Sequence, residues 1–181
     1  MDPRRRRIEP MSVHEHRAEA PEQVRFAVLT VSDTRTKETD ESGSLIIELV
    51  KGAFHVAAVR ALCKDDPPAV QALVKQATTQ DGVDCLVITG GTGIAARDST
   101  YEAVRELYEI ELPGFGELFR FLSYEDIGAA AMLSRASAGL VNGRPVFSLP
   151  GSASAVSLAM NRLILPEIGH VLAQLGKGKS K

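Results

Sequence analysis

Residues 86–100 join a buried strand to a glycine turn and then to the start of a helix. Leu86–Thr89 is apolar or β-branched, three glycines follow within four positions, and Asp98–Thr100 opens a segment with helical spacing of apolar side chains. Glycines let backbone N–H groups approach an anion closely, and the positive end of the following helix is aimed at the same place. The stretch therefore predicts a strand–loop–helix unit that binds a phosphate-bearing ligand.

Strand-like and helix-like segments alternate along most of the chain. The predicted strands are Phe26–Val31, Val56–Leu62, Val83–Thr89 and Arg144–Leu149. The predicted helices are Gly43–Lys51, Pro67–Ala77, a segment from near Ser99, Phe115–Phe121, Ile127–Leu133, Ala155–Leu163 and Pro166–Leu175. Because such strands and helices are joined by right-handed crossovers, we expect an α/β fold of three layers, a mostly parallel sheet flanked by helices.

Length and composition indicate one domain. A chain of 181 residues with 44% hydrophobic residues should bury roughly 70% of its unfolded surface, which is enough for a single core. We place the domain at residues 23–175, with flexible charged tails at 1–22 and 176–181.

Charge and composition also argue against several classes of protein. The net charge of −2, the absence of Trp and an aromatic content of 5% do not favour nucleic-acid binding. No apolar stretch approaches the ~20 residues of a membrane span, and no hydrophobic region follows Arg4–Arg7. Cys63 and Cys85 lie in apolar runs typical of buried thiols, and the four histidines form no ligand set. We therefore expect a cytoplasmic protein with no membrane or nucleic-acid partner.

Small, hydroxyl or acidic residues follow every predicted strand. The four exits carry Ser32-Asp33, Lys64-Asp65-Asp66, Gly90–Gly93 with Asp98, and Pro150–Ser154. Because ligands bind outside the carboxyl ends of strands in open parallel sheets, these residues should share one site. The glycines fit neither a G-x-G-x-x-G fingerprint nor a P-loop, so a dinucleotide site is not favoured.

The acidic residues allow structural readings as well as functional ones. Asp66 is placed to cap the helix that begins at Pro67, which leaves Asp65 as the better metal ligand. Asp65 and Asp98, from different strand ends, are the oxygen ligands that Mg²⁺ prefers. Asp33 could equally be a solvated turn residue. Alternatively, Ser99 and Glu102 form a helix capping box that Asp98 merely supports, and Ser152 and Ser154 cap the helix after Gly151.

Several motifs in order along the chain resemble the MoaB/MogA family of molybdenum cofactor biosynthesis proteins. The resemblance runs from about Arg25 to Leu175, and Phe119-Arg120 with Leu122–Gly128 is closer to the MoaB branch than to MogA. The other motifs are Thr89–Gly93 with Arg97-Asp98-x-Thr100, Pro113–Glu117, Met132–Arg135 and Leu149–Ser152.

The resemblance implies a Rossmann-like fold of molybdopterin-binding type that assembles as homotrimers or hexamers. It also implies adenylylation of molybdopterin by ATP with Mg²⁺, releasing pyrophosphate, and contacts with other proteins of the same pathway. Asp65 and Asp98 match the essential acidic residues, although Asp66 stays an alternative to Asp65. The implied ligand-binding residues are Ser32, Asp33, Thr89, Gly90, Gly91, Thr92, Gly93, Thr100, Pro150, Gly151 and Ser152.

Two other functions stay open at this point. The chain could be a molybdopterin-binding or carrier protein with the same pocket but without catalysis, because the resemblance to the MoaB branch does not separate an active member from one that only binds the pterin. It could also be an interaction protein in which the glycine loop is only a turn.

Overall fold

The structure, a computed structural model, describes residues 21–177. Its six strands are β1 (Arg25–Val31), β2 (Val56–Cys63), β3 (Cys85–Thr89), β4 (Ile110–Glu111), β5 (Ser137–Val141) and β6 (Arg144–Leu149). Its α-helices are α1 (Glu41–Gly52), α2 (Pro67–Thr79), α3 (Thr100–Arg105), α4 (Pro113–Ile127), α5 (Ala153–Ala159) and α6 (Leu165–Lys177). A 3₁₀ helix, Gly128–Leu133, follows α4, and a π turn, Met160–Ile164, joins α5 to α6.

The strands form one sheet in the order β2-β1-β3-β6-β5-β4. Strands β2, β1, β3 and β6 are mutually parallel, whereas β5 is antiparallel to both of its neighbours. The three-layer, mostly parallel α/β architecture predicted from the sequence is therefore confirmed. The chain moves from β1 to β2 on one side and then to β3 on the other. This reversal is a topological switch point, where loops diverge and open a crevice beyond the carboxyl ends of β1 and β3.

Alternation of side chains along the strands builds two cores. On β1, Phe26 and Val28 face α1, α4, α5 and α6, while Ala27 and Leu29 face α2 and α3. Because both faces of the central strands are covered, these strands are continuously apolar, as β3 is over all five residues. The rigid sheet holds the strand ends, and hence the exit loops, at fixed positions.

The structure corrects four of the predicted elements. The segments Phe115–Phe121 and Ile127–Leu133 belong to one fifteen-residue helix, α4, and the 3₁₀ helix after it. The last two predicted helices form one continuous helical run, and its π turn, Met160–Ile164, lies just before Pro166, which lacks an N–H. Strands β4 and β5 were not predicted. The small residues of β5 carry little strand signal, but Asn142-Gly143 after it is a strong hairpin signal.

The predicted tails, residues 1–22 and 176–181, fall mostly outside the described residues, so the domain limits stay a prediction. Helix α6 runs as far as Lys177, into the predicted second tail. Among the helices of residues 21–177, none has the length and apolar composition that a bilayer-spanning helix requires.

A buried carboxylate fixes the start of α1 beneath the crevice. Asp40 accepts hydrogen bonds from Gly43 N–H at 2.9 Å and from Thr30 Oγ1 at 2.7 Å, and pairs with Arg60 at 3.0 Å. Burial alone would raise the pKa of Asp40, but the Gly43 N–H, the Thr30 hydroxyl and Arg60 together hold this pKa below its usual value. The carboxylate is therefore charged in the folded protein.

We expect Asp40→Asn to lower the free energy of unfolding at pH 7 by about 3 kcal/mol, because it leaves the Arg60 guanidinium without its counter-charge. A lowered folded-state pKa gives stability that is present above the unfolded value and is lost as the pH falls through the folded value. The difference in unfolding free energy between the wild type and Asp40→Asn should therefore become smaller below about pH 4. Urea unfolding of both proteins at several pH values measures this difference. Glu111→Gln, which breaks the exposed pair with Arg105, should cost under about 1 kcal/mol. Equal losses of unfolding free energy in Asp40→Asn and Glu111→Gln would contradict the structural role assigned to Asp40.

Candidate functional site at the carboxyl edge

The four loops that follow the parallel strands meet at one edge of the sheet. The N–H of Ser32, after β1, donates to the carbonyl of Cys63 at the end of β2 at 2.8 Å. After β3, the Gly90 N–H donates to the Leu149 carbonyl at 3.1 Å, and Thr89 Oγ1 donates to the Pro150 carbonyl at 3.2 Å. The predicted exits therefore form one continuous rim around the switch point.

Gly90 lies where the backbones of three exits touch. Its φ is +101°, and a Cβ at this position would lie 2.1 Å from the carbonyl oxygen of Val31. A Cβ on Gly151 would lie 3.3 Å from the Gly90 Cα. A side chain at residue 90 would therefore force β1 and β3 apart at the crevice.

Asp65 ties the exit of β2 to the start of α3. Its carboxylate accepts from Ser99 N–H at 3.3 Å, from Ser99 Oγ at 2.9 Å and from Thr100 Oγ1 at 3.2 Å. Its own N–H donates to Asp33 Oδ1 at 3.2 Å. A carboxylate from another loop thus satisfies the N–H of Ser99, the N-cap residue of α3, and complements the positive end of the helix.

The alternative of a Ser99–Glu102 capping box is wrong. The Ser99 side chain accepts no capping hydrogen bond; its hydroxyl donates to Asp65, and the Glu102 carboxylate pairs with Arg135. The predicted cap by Asp66 is confirmed, since Asp66 accepts from Ala69 N–H at 3.2 Å at the start of α2. Asp65 was expected to have no structural role, yet it holds Ser99, and its role as a metal ligand stays a prediction. Ser152 caps α5 through Ala155 N–H at 3.3 Å, whereas Ser154 lies within α5 and its hydroxyl bonds that of Ser152.

Asp98 lies in the turn between the glycines and α3. Its Oδ2 accepts from Ala95 N–H at 3.0 Å, and a Cβ on Gly93 would lie only 2.4 Å from that oxygen. No donor among residues 21–177 is bonded to Oδ1. Asp98 precedes Ser99 in the chain, and the Asp65 carboxylate bonds the Ser99 N–H and hydroxyl, so both acidic residues lie at the N-terminal end of α3.

The three predicted ligand-binding threonines are buried, and two of their hydroxyls are occupied by contacts between loops. Thr89 bonds the Pro150 carbonyl and Thr100 bonds Asp65, while Thr92 is also buried. These threonines position the loops, and direct contact with a ligand stays a prediction for each.

Among the described residues, no group of three or more His, Cys, Asp or Glu is arranged to hold a metal. Burial, with help from Asp65 and Asp66, raises the pKa of Cys63 to about 11, so this nearby thiol is not ionised at neutral pH.

Three cavities surround the rim. One of about 210 Å³ lies at the switch point, between the β1 and β3 exits and the start of α1; it is lined by Thr30, Val31, Ser32, Arg35, Glu41, Ser42, Thr89, Gly90, Gly151 and Ala153. A larger cavity of about 470 Å³ lies on the other side of Asp98, against α3. The third, of about 170 Å³, has mostly apolar walls and adjoins Pro150 and Ser152.

Arg135 is a site residue whose contacts the sequence did not reveal. The sequence placed it only in the Met132–Arg135 motif of the family resemblance, yet its guanidinium bonds the carbonyls of Thr92, Gly93 and Asp98. Arg135 reaches them because β5 is antiparallel, which brings the residues before Ser137 to the carboxyl edge. The hairpin signal at Asn142-Gly143 could have indicated this strand reversal.

The fold and rim together define an α/β protein with a ligand crevice at the switch point of a parallel sheet. A family model described as a probable molybdopterin binding domain matches residues 27–170. Molybdenum cofactor biosynthesis protein B of Halalkalibacterium halodurans is 51% identical over 170 residues, which cover 93% of this chain and 100% of that protein. The protein of the same name from Bacillus subtilis is 52% identical over equal shares of both chains.

Solved structures agree. A crystal structure of molybdenum cofactor biosynthesis protein B superposes with a TM-score of 0.85 at 51% identity, over 87% of this chain and 99% of that one. The tungsten cofactor synthesizing protein MoaB from Pyrococcus furiosus gives 0.77 at 39% identity, over 86% and 99%. The chain therefore belongs to the MoaB/MogA family of molybdenum cofactor biosynthesis proteins, and it is closer to MoaB than to MogA, which is 24% identical.

We expect Gly91→Ala to destabilise the site far more than Gly143→Ala, although both glycines have almost the same φ, +64° and +66°. A Cβ on Gly91 would lie 2.0 Å from Thr100 Oγ1 and 2.4 Å from Asp65 Oδ2, whereas nothing lies within 4 Å of one on Gly143. Gly143→Ala should cost about 1 kcal/mol of backbone strain, and Gly91→Ala about 3 kcal/mol. Urea unfolding measures both. Equal losses would mean that Gly91 is retained for its φ alone.

Proposed function

We propose that the protein adenylylates molybdopterin. The terminal phosphate oxygen of molybdopterin attacks the α-phosphorus of ATP; the bond from this phosphorus to the bridging oxygen breaks, and pyrophosphate leaves. One observation carries the proposal: Asp65 and Asp98, from separate strand exits, both lie beside the glycine loop, Asp65 against Gly91 and Asp98 against Gly93. Membership of the MoaB/MogA family supports the substrate.

The donor set fits Mg²⁺. Asp65 and Asp98 offer carboxylate oxygens, and Mg²⁺ is usually bound by one or two carboxylates together with waters and substrate phosphates rather than by an all-protein cage. A pair of carboxylates without a third protein ligand is consistent with that pattern. When bound, Mg²⁺ neutralises charge that develops on the phosphate oxygens.

The switch-point cavity suits a phosphate group. It brings together the backbone at Gly90, the start of α1 at Ser42 and the Arg35 side chain. The N-terminal N–H groups of a helix and an arginine both attract anions. The ligand-binding roles proposed for Ser32, Asp33 and Gly90–Gly93 belong to this side of the rim.

The third cavity suits the pterin end of the substrate. Phe119 and Leu158 supply apolar walls, and Ser123, Ser134 and Ser152 supply hydroxyl groups. Apolar walls with a few polar groups are typical of sites for flat heterocycles. Pro150, Gly151 and Ser152 would then lie between the ring and the phosphate.

The test is pyrophosphate release from molybdopterin and Mg·ATP by the wild type, Asp98→Asn and Asp66→Asn. Asp98→Asn should lose about a hundredfold or more of turnover, because metal coordination supplies several kcal/mol of transition-state stabilisation, and it should still bind the pterin. Asp66→Asn is the matched control, because Asn caps a helix as well as Asp does. It should retain nearly full turnover. Near-normal turnover in Asp98→Asn would remove Asp98 from the catalytic role.

A second candidate is a molybdopterin-binding or carrier protein without catalysis. It is favoured by the structural roles of the same carboxylates, since Asp65 holds the start of α3 and Asp98 holds Ala95. Both would be needed in a protein that only binds the pterin. Pterin binding by the wild type without any pyrophosphate release would select this function.

We also propose that the chain self-associates, as a homotrimer or hexamer, through an apolar stripe on α4 and the 3₁₀ helix. The stripe consists of Leu118, Phe121, Tyr124, Ile127, Met132 and Leu133, each more than half exposed. The first four recur every third residue, so each lies next to the following one on the exposed surface of α4. A contiguous exposed apolar surface of this kind is typical of a protein interface. Contacts with other proteins of the pathway would then use the part of the protein surface outside this stripe.

We expect Phe121→Glu to shift the protein to a smaller species, because a buried unpaired charge opposes association. Phe54→Glu is the control: Phe54 is 84% exposed but lies in the turn between α1 and β2, away from the stripe. Sedimentation velocity measures both. An unchanged sedimentation coefficient for Phe121→Glu would exclude the stripe as the interface.

The thiols support the cytoplasm as the proposed location. Cys63 and Cys85 are both free, and burial raises the pKa of each. Free thiols are usual in reducing compartments.

A further inference from the structure

Arg135 joins the end of the 3₁₀ helix region to the glycine loop through several directed hydrogen bonds. Its Nε donates to the Thr92 carbonyl at 3.0 Å, and its Nη2 donates to the carbonyls of Gly93 and of Asp98, the latter at 2.9 Å. Its Nη1 pairs with Glu102. All three guanidinium nitrogens thus form hydrogen bonds, either to the glycine loop or to α3, the helix that follows it.

One of these bonds acts on the peptide group between Asp98 and Ser99. The Arg135 guanidinium donates to the carbonyl of this peptide group, and the Asp65 carboxylate accepts a hydrogen bond from its N–H at 3.3 Å. In a planar trans peptide the C=O and N–H point in opposite directions. Arg135 and Asp65 therefore hold the same peptide group from opposite sides, and this group carries the Asp98 side chain.

The same geometry orients the glycine loop. With the carbonyls of Thr92 and Gly93 turned toward Arg135, the N–H groups of Gly93 and Ile94 point away from it. The Arg135 side chain is only 24% exposed and lies over the Tyr101 ring, with its guanidinium carbon 5.0 Å from the ring centroid. The planar fork of arginine can make these bonds together, whereas the single ammonium of lysine cannot.

We propose that Arg135 is a positioning residue: it fixes the Asp98–Ser99 peptide and the glycine loop, and through them the Asp98 carboxylate, for the reaction. This inference rests on the proposed adenylylation for its catalytic consequence, but the ordering of the loop can be measured without it. Arg135 acts through the loop, at the peptide group that Asp65 holds from the other side.

Arg105 provides a matched control. It also lies over the Tyr101 ring, at 5.9 Å, and it also pairs with a glutamate, Glu111, at 3.1 Å. Its guanidinium contacts no carbonyl of residues 90–99. Arg105→Gln therefore removes the same charge and the same kind of ring contact without touching the loop.

The experiment compares Arg135→Gln, Arg135→Lys and Arg105→Gln with the wild type. Amide hydrogen exchange is measured over residues 91–100, with β1 and β3 as the internal standard for global folding. In both Arg135 variants we expect these loop amides to exchange at least about tenfold faster, because several charge-assisted hydrogen bonds are lost. The β1 and β3 amides should be unchanged, and Arg105→Gln should match the wild type throughout. Arg135→Lys keeps the positive charge but lacks the planar guanidinium. It therefore tests the role of the guanidinium geometry even if Arg135→Gln folds poorly.

Turnover gives the second measurement. We expect both Arg135 variants to lose at least about tenfold in kcat, with the KM for molybdopterin nearly unchanged, because Arg135 does not line the cavity proposed for the pterin. Guanidinium chloride at millimolar concentration should restore part of kcat in Arg135→Ala and none in Asp98→Asn.

The outcomes separate this inference from the proposed function. Unaltered loop exchange in the Arg135 variants overturns the positioning role, whether or not the wild type is active. A loosened loop with unchanged kcat overturns it as well. If the wild type releases no pyrophosphate while the Arg135 variants loosen the loop, adenylylation fails and the ordering of the loop by Arg135 stands.

Discussion

The contact between the Asp65 carboxylate and the start of α3 holds the candidate site together. Asp65 follows β2, which lies at one edge of the sheet, and Ser99 follows β3, on the far side of β1. Their hydrogen bonds close the rim across the switch point and fix the residue that directly follows Asp98. The close approach of Gly91 to Asp65 and Thr100 makes this possible, because no larger residue fits between them.

The site therefore has two layers with different physical origins. The sheet and its two apolar cores fix where each strand ends, and burial of side chains such as Phe26 and Ile88 supplies most of that stability. The loops themselves bury little apolar surface, and polar contacts order them. Asp40 beneath α1, Asp65 beside α3 and Arg135 across the glycine loop are charged groups satisfied mainly by backbone or hydroxyl partners. Loss of any one leaves a specific loop, rather than the whole fold, without support.

The sequence predicted the parts of the structure that depend on local pattern. The apolar runs at β1 and β3, the Asp66–Pro67 helix start and the rim of polar exits all follow from spacing and from the rule for parallel sheets. It missed contacts that depend on tertiary geometry. Ser99 and Glu102 have the spacing of a capping box, but Asp65 and Arg135 take their side chains. Arg135 was not recognised as a loop contact because β5, whose small residues resemble a loop, reverses the chain direction.

We propose that the carboxyl edge of the sheet binds a phosphate-bearing pterin beside a divalent ion. The most direct test is paramagnetic broadening of backbone amide NMR signals by Mn²⁺, a substitute for Mg²⁺, in the presence of molybdopterin. We expect broadening centred on residues 64–66 and 90–100, with little effect at Asn142-Gly143 on the opposite edge of the sheet. Broadening centred elsewhere, or none at saturating molybdopterin and Mn²⁺, would contradict the account.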